Sequence, residues 1–288
     1  MPENGNGNHP GVRAVEARRR APGSGPILIL AGLFVAATFL AWYFTWFGRE
    51  LSDVDVSKYL ADEKNPRHVQ HALLQVQQRM ERGDATAKNW YPQLLVLSSS
   101  QETEFRLTVA WLMGFDNSSP QFHEALRKLL NDSEPIVRRN AALALVRFND
   151  ASGREEIVSI LLPYAVKAPA SGAIASSLQE GATVARTTLL ARISQPAGKI
   201  VEFRSPLPGR IQKLLKANGA QVTEGEEVLR LNSDENSVWE ALRGLSLVGT
   251  ADDLSVIQSY ANSTEVSARI KEQANLTTKA IQTRMKAN

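Results

Sequence analysis

The sequence has no cysteine, so disulfide bonds, thiol catalysis and cysteine-ligated metal sites are all excluded. It also lacks a nucleophile elbow, a phosphate-binding glycine loop and any motif of paired carboxylates. A net charge of +3 is too small to indicate a nucleic acid as a partner. From these absences we expect no catalytic residues, no cofactor and no nucleic-acid binding.

Histidine is scarce as well, with four in 288 residues, which restricts the metal sites that the chain could form. His68 and His71 lie three residues apart on a predicted helix and therefore share one face. No third ligand accompanies them at a spacing typical of a metal site. We therefore expect a solvated or partly packed helix surface here, and no bound metal.

Charged residues are missing from one long run, residues 27–47, which is apolar almost throughout. At a rise of about 1.5 Å per residue, a run of this length matches a hydrocarbon core of roughly 30 Å. Trp42, Tyr43 and Trp46 gather at its far end, and arginines precede its near end. A cleaved signal peptide and a buried core helix are the alternatives, and we favour an uncleaved transmembrane anchor in the inner membrane. The positive-inside bias then places a disordered tail, residues 1–26, in the cytoplasm and the body on the extracytoplasmic, periplasmic side.

Residues 48–64 are polar and mostly acidic, which predicts a spacer or a short helix between the membrane and the body. From residue 65 to residue 164 the apolar residues keep helical spacing. One of these helices is entered through Ser119 and Pro120, a cap followed by proline at the first helical position. Trp90 and Trp111 also occupy helical positions, and we expect both in the core.

The junction of two predicted helices, residues 131–145, contains an Asp-rich turn followed by Val-Arg and Ala-Ala-x-Ala-Leu. This segment resembles a HEAT repeat, a helical hairpin that stacks on copies of itself. Thirty-two residues earlier, Phe105 and Arg106 stand where Val137 and Arg138 stand, and a fixed offset of this kind is typical of stacked repeats. The resemblance implies that Arg138 pairs with an aspartate of a neighbouring turn, and binding of an anion is the alternative.

A second internal repeat begins with Pro-Ala-Ser-Gly, residues 169–172, and returns about 37 residues later as Pro-Leu-Pro-Gly, residues 206–209. Each copy predicts a turn, a strand, a second turn and a second strand, which describes two halves of one β unit folded face to face. This part of the chain, residues 165–233, resembles the biotinyl/lipoyl-like barrel-sandwich domain. That domain occurs in swinging-arm carriers and in the periplasmic adaptor (membrane-fusion) proteins of export pumps.

In carrier versions, the resemblance implies a modified lysine at the tip of the hairpin that joins the two halves. That place falls on Gly198, and Lys199 stands one residue later without the flanking residues of the carrier motif. We therefore expect a structural copy of the domain, with Lys199 as the alternative attachment point. Pump adaptors carry a long helical hairpin between the halves, where this chain has only about ten residues. They also carry a further β-barrel domain, which this sequence does not predict.

Helical spacing returns in residues 234–288, with Trp239 near the junction to the strands. Three consecutive domains would explain this order, but we favour one helical array that the β unit interrupts. Residues 155–161 predict a first helix whose partner lies beyond the strands. The predicted fold is mainly α, with HEAT-like repeats, plus a small all-β barrel-sandwich domain and one N-terminal transmembrane helix.

These features predict a membrane-anchored, non-enzymatic scaffold or adaptor that binds other subunits of a membrane complex on the extracytoplasmic side. The anchor, residues 27–47, would hold it in the lipid bilayer. An export-pump adaptor and a cofactor carrier modified at Lys199 are the alternative functions. The sequence predicts no particular partner-binding surface.

Overall fold

A computed structural model describes residues 25–46, 50–176, 178–196 and 198–287. Helix α1, Gly25–Trp46, comes first, and its side chains from residue 28 to residue 41 are all exposed. Within the described residues, no helix has both the length and the apolar character that crossing a membrane requires. Of the predicted anchor, residues 27–47, the last residue lies outside the described residues. Of the predicted tail, residues 1–26, the first 24 residues lie outside them.

The body begins at Leu51 and consists of helical hairpins with a group of strands inserted in one of them. The first helices of the hairpins are α2, α4, α6, α8 and α10, at Asp53–Leu60, Tyr91–Leu97, Pro120–Leu129, Arg154–Ile160 and Leu254–Asn262. The second helices are α3, α5, α7, α9 and α11, at Pro66–Glu81, Thr103–Met113, Pro135–Arg147, Glu235–Val248 and Ala268–Ala287. Short 3-10 helices at Ala85–Trp90 and Ala251–Asp253 precede α4 and α10.

The helix starts follow from local chemistry. The Ser119 hydroxyl accepts a hydrogen bond from the amide of Phe122 at 3.3 Å, and Pro120 occupies the first position of α6. Asp234 caps α9 in the same way, through a 3.0 Å bond from the amide of Ser237. The cap predicted at Ser119 is therefore present.

The short helix predicted as one alternative for residues 48–64 is present as α2, but it belongs to the helical body and does not form a spacer before it. Val56 and Leu60 on this helix are buried, and α2 packs against α3. The Ser57 hydroxyl accepts a 2.9 Å bond from the indole of buried Trp90. The stretch looked polar because only one face of this short helix is apolar, so the body starts about fourteen residues earlier than predicted.

Eight strands, here called the β unit, lie between α8 and α9 and form two antiparallel four-stranded sheets. They are β1 to β8, at Tyr164–Lys167, Gly172–Ala175, Thr183–Val184, Leu189–Ser194, Ile200–Arg204, Gly209–Leu214, Gln221–Val222 and Glu227–Ser233. One sheet has the order β1-β8-β6-β3 and the other β5-β4-β2-β7. Adding four to each strand number of the first sheet, and counting on from β8 to β1, gives the strand order of the second sheet. The repeated sequence has therefore folded into two equivalent halves, and each half contributes two strands to each sheet.

The tightest contacts of the β unit fall at equivalent glycines of the two halves. A Cβ added to Gly172 would clash with the carbonyl oxygen of Ser194, and one added to Gly209 would clash with that of Asn232. Each glycine thus allows a close approach between neighbouring strands that no other residue type allows. This requirement explains why the Pro-x-x-Gly pattern occurs in both copies.

The helices before and after the β unit share one hydrophobic core. Ile157 of α8 and Val146 of α7 pack in the same buried cluster as Leu242 of α9 and Ile270 of α11. The Tyr260 hydroxyl of α10 also donates a 3.0 Å bond to the carbonyl of Leu161. Helices α8 and α9 are therefore the two arms of a hairpin whose turn has been replaced by the β unit, the arrangement expected of an interrupted array.

Candidate functional site: an apolar stripe on the second helices

The second helices pack side by side in the order α3, α5, α7, α9 and α11. Their seventh residues are all buried, and these are Ala72, Val109, Ala141, Ala241 and Ala274. Small side chains at most of these positions let neighbouring helices approach closely. Because the buried positions coincide, other positions counted from each helix start can be compared across the array.

The ninth residues of these helices are Leu74, Trp111, Leu143, Arg243 and Leu276, four of which are large and apolar. We call these four apolar residues the apolar stripe. Leu74 is 41% exposed, Trp111 40% and Leu276 54%, while Leu143 is half-buried. A row of exposed apolar side chains at one repeating position is typical of a binding surface, whereas single exposed apolar residues are not.

Trp111 was predicted to be a core residue, and that prediction is wrong. Its helical spacing is regular, but position nine lies outside the positions that face the neighbouring hairpin. Its ring contacts Phe115 edge-on, with centroids 4.6 Å apart, and 40% of its surface stays exposed. The signal that could have identified the stripe is the 32-residue offset, which relates Trp111 to Leu143.

Arginines with stacked guanidinium groups border the stripe. The Arg147 guanidinium lies over the ring of Phe115 at 5.1 Å and donates a 3.2 Å bond to the carbonyl of Gly114. Arg243 and Arg269 lie over the ring of Trp239, at 4.6 Å and 4.1 Å from its centroid. The border of the apolar stripe is therefore cationic at several points.

A ladder of arginines joins successive hairpins behind this surface. Arg106 donates two bonds to the carboxylate of Asp132, at 2.6 Å and 3.0 Å, as well as bonds to the carbonyls of Ser100 and Gln101. Arg138 repeats the pattern one hairpin later, with bonds to the carbonyls of Asp132 and Ser133. The Arg106–Asp132 pair is the arginine-to-turn pairing that the HEAT resemblance implies.

The ion pair shifts the protonation of both groups. Burial raises the pKa of Asp132, but bonds from Arg106 and from the amide of Glu134 outweigh it, and the pKa falls below its ordinary 3.8. The bond to Asp132 in turn raises the pKa of Arg106. Both groups are therefore charged over the whole physiological range, which suits a structural pair and not a proton-transfer site.

Arg138 does not reach an aspartate of the next turn, because the β unit occupies the place of that turn. It pairs instead with Glu156 of α8, with its Nε 3.1 Å from a carboxylate oxygen. The neighbouring Arg139 lies against the β unit, 5.9 Å from the ring centroid of Tyr164 and 3.3 Å from the hydroxyl of Ser233.

Arg139 is only 4% exposed, and its Nε and Nη2 atoms have no hydrogen-bond partner among the described residues. Burial lowers its pKa, against the opposing field of Glu156. This poorly bonded buried cation is one polar contact between the array and the β unit. A second contact joins Arg186 of the turn between β3 and β4 to Glu104 of α5.

The apolar stripe passes close to the β unit. Glu104 and Arg139, at the second and fifth positions of their helices, contact the β unit, and the stripe lies at the ninth. At about 1.5 Å per residue, Leu143 lies roughly 6 Å along α7 from Arg139, and Trp111 lies roughly 10 Å along α5 from Glu104. Both stripe residues are therefore within about two helical turns of a residue that contacts the β unit.

The other candidate residues from the sequence have ordinary structural contacts. His68 shares a 2.8 Å contact with Asp62 and stacks on Tyr59, with ring centroids 4.3 Å apart. His71 lies near the same tyrosine ring, and no group of three metal-ligating side chains occurs in the described ranges. Lys199 is exposed in the hairpin between β4 and β5.

One of three comparisons with known proteins supports the helical part of the fold. A family model described as HEAT repeats matches residues 92–179, from α4 into the β unit, which is less than a third of the chain. The predicted HEAT-like helical repeats are therefore confirmed, in a protein that is mostly helical and has two antiparallel sheets. One similar solved structure is the crystal structure of an engineered protein, with 15% identity, coverage of 79% of this chain and 78% of that chain, and a TM-score of 0.42. A comparison with curated proteins gives no match.

Proposed function

We propose that this chain is a non-enzymatic scaffold, and that its apolar stripe binds another protein. The observation that carries the proposal is the repetition of a large apolar side chain at the ninth position of four second helices, exposed on three of them and half-buried at Leu143. Stacked helical repeats bind partners through such extended surfaces. Burial of these side chains against a partner would remove apolar surface from water, which would stabilise the complex relative to the free protein.

Trp111 is the residue in the stripe on which binding should depend most. Tryptophan combines a large apolar area with few rotatable bonds and is enriched at the centres of interfaces. Arg147 and Arg243, which border the stripe, belong to the other residue type that is enriched there. The partner should therefore present an apolar ridge flanked by acidic groups.

We further propose that the β unit is a relative of the barrel-sandwich domain and serves binding. The equivalence of its two sheets under a shift of four strands supports this relationship. Its insertion in the turn between α8 and α9 fixes it beside the stripe, through Arg139 and Arg186. An export-pump adaptor would need the long hairpin between the halves, which the short turn between β4 and β5 does not provide.

We propose that residues 27–47 anchor the chain in the inner membrane, with the N-terminus in the cytoplasm and the body in the periplasm. The uncharged sequence and the exposed apolar side chains of residues 28–41 support the anchor, and the arginines that precede it, Arg18 to Arg20, support the orientation. Because the chain has no cysteine, single cysteines at Asn6 and Thr264 can report the topology. A membrane-impermeant maleimide should label T264C but not N6C in cells with a permeabilised outer membrane. Labelling of N6C alone would refute the orientation.

The scaffold proposal is tested by purifying the tagged full-length protein in mild detergent and quantifying every protein that co-elutes. In the wild type we expect membrane subunits in fixed ratio to the chain. The variants Trp111→Asp and Leu276→Asp should reduce that ratio about tenfold or more, since a central interface tryptophan contributes about 2 kcal/mol or more.

Val96→Asp is the matched control, because Val96 is 65% exposed but lies on α4, a first helix. It should leave the ratio unchanged, and circular dichroism should show equal helix content in all variants. Equal loss in the control, or no loss in the stripe variants, would refute the stripe as the binding surface.

The same preparation tests the carrier alternative, which the exposed position of Lys199 between the two halves favours. An unmodified intact mass excludes biotin or lipoate on this lysine. A fixed mass increment that disappears in Lys199→Ala would identify the chain as a carrier.

A further inference from the structure

Strand β5 forms a free edge of its sheet, since the sheet order is β5-β4-β2-β7. The backbone amide of Gln195 donates to the carbonyl of Lys199, which makes these two residues a hydrogen-bonded pair at the start of the β4–β5 ladder. Hydrogen-bonded and non-hydrogen-bonded pairs alternate along an antiparallel ladder, so the pair Ile193 and Val201 is hydrogen-bonded as well. The intervening residues of β5 therefore direct their N–H and C=O groups away from β4. These residues are Ile200, Glu202 and Arg204. In the described part of the chain, no strand lies on the side of β5 opposite to β4 to accept these outward groups.

The equivalent edge in the other half of the β unit has a neighbour. There the edge strand is β1, whose Tyr164 is half-buried and lies beneath the guanidinium of Arg139 on α7. On β5, by contrast, Ile200 is 59% exposed, and both Glu202 and Arg204 are exposed. An open edge with a large exposed apolar residue is a template for another strand.

We propose that the partner of this edge is β5 of a second copy of the chain, paired antiparallel about a two-fold axis through Phe203. In this register the outward backbone groups of Glu202 and Arg204 in one copy meet those of Arg204 and Glu202 in the other. Four backbone hydrogen bonds form, and each carboxylate lies opposite a guanidinium group.

Charge selects this register over its neighbours. An axis at Glu202 would place the two Glu202 carboxylates opposite each other, and like charges in directly opposed positions destabilise a sheet. An axis at Val201 would place Glu202 opposite Ile200, with no ion pair. Within one copy Glu202 already accepts bonds from Arg192 at 2.9 Å and Arg204 at 3.0 Å, so its carboxylate is held on the outer face of the strand.

The first test is a charge reversal measured by sedimentation equilibrium of the full-length chain in detergent. The wild type should show a concentration-dependent dimer. Arg204→Glu should weaken it about tenfold, because two opposed pairs become repulsive. The double variant E202R/R204E restores opposite charges in the same register and should bring the dissociation constant back to within about threefold.

The control exchanges charges on the other sheet, where Arg230 and Glu227 form an exposed pair away from β5. The variant E227R/R230E should dimerise like the wild type. A wild-type monomer at all concentrations, or a dimer that Arg204→Glu leaves intact, would overturn the proposal.

Cross-linking tests the register itself. Opposed residues of a hydrogen-bonded antiparallel pair have Cα atoms about 5.5 Å apart, within reach of a disulfide, whereas diagonal neighbours are too distant. Since the chain has no native cysteine, a mixture of E202C and R204C chains should form a heterodimeric disulfide, while E202C alone should not. A disulfide in E202C alone would overturn the register with Glu202 opposite Arg204.

Discussion

At the scale of single residues, two arginines of the helical array, Arg106 and Arg139, differ in how well they are bonded. Arg106 has a bidentate carboxylate and two carbonyls as acceptors, so its burial is fully compensated. Arg139 lies one residue after a similar arginine but has only a 3.3 Å bond to Ser233 and a 3.9 Å ion-pair contact with Glu156. The HEAT resemblance predicts the first type of pairing, while the second arises because the β unit displaced a turn.

Replacing Arg106 with leucine should lower the free energy of unfolding by about 3 kcal/mol, because it leaves the carboxylate of Asp132 largely buried and short of partners. The control is Lys128→Ala, which removes an exposed ion pair to Glu124 and should cost less than about 0.5 kcal/mol. Urea unfolding of both variants checks the difference. Equal effects would contradict the structural role of the ladder.

The same pair predicts a pH dependence. The pKa of Asp132 is lower in the folded protein than its ordinary 3.8, so the carboxylate stabilises the fold at higher pH and this contribution is lost as the pH falls through the folded pKa. The difference between wild type and Arg106→Leu should be constant above about pH 5 and shrink below pH 3.8. Urea unfolding at pH 7 and pH 3 measures it, and a difference that grows in acid would be inconsistent with this pairing.

Replacing Arg139 should affect the stability of the protein much less than replacing the adjacent Arg138. Arg139→Met should change the free energy of unfolding by less than about 1 kcal/mol or increase it, because the lost guanidinium was poorly bonded and Glu156 keeps Arg138 as a partner. Arg138→Met, the adjacent control, should cost about 2 kcal/mol. Thermal unfolding of both variants distinguishes them, and a larger loss for Arg139→Met would show that its partners are stronger than the contacts indicate.

At the scale of elements, repeated sequence was the most reliable guide. The two Pro-x-x-Gly segments predict equivalent turns, and Gly172 and Gly209 do occupy equivalent close approaches. A short helix is one of the two alternatives for the segment that contains α2, but eight residues with two buried side chains give too weak a periodic signal to predict that it joins the body. Its burial depends on α3 and on Trp90, which are distant in sequence and become neighbours only after folding.

Gly209→Ala should destabilise the protein by about 2–4 kcal/mol, since its Cβ would meet the carbonyl of Asn232 and force β6 away from β8. Gly219→Ala is the control, because Gly219 has a φ of +87° but open space around its Cβ position. It should cost about 1 kcal/mol, the conformational penalty alone. Chemical denaturation compares the two, and equal losses would argue against a close approach at Gly209.

At the scale of the whole molecule, the helical array is complete without the β unit. The ends of the unit are adjacent, since Tyr164 and Leu231 are paired across β1 and β8. Replacing residues 164–233 with a short glycine-rich turn should therefore leave a cooperatively folding helical protein. Circular dichroism and urea unfolding test this, and a product without a cooperative transition would mean that the β unit is required by the array.

The overall architecture could be predicted because each part carries a local pattern: helical spacing, a 32-residue offset and a 37-residue repeat. The 32-residue offset relates two residues of the apolar stripe, Trp111 and Leu143, but the sequence alone does not show that this position is exposed. Core and surface leucines have the same helical spacing, and only the packing of the second helices decides that position nine faces outward. Trp111 shows the ambiguity most clearly, since its spacing indicated a core residue.

The central claim is that the stripe binds a partner protein, and photo-cross-linking in living cells tests it most directly. A photoreactive phenylalanine analogue would replace Trp111, Leu143 or Leu276 in turn, with Val96 as the control position on α4. We predict that all three stripe positions yield an adduct with the same partner and that position 96 yields none. An adduct at position 96 alone, or no adduct at any stripe position, would contradict the account.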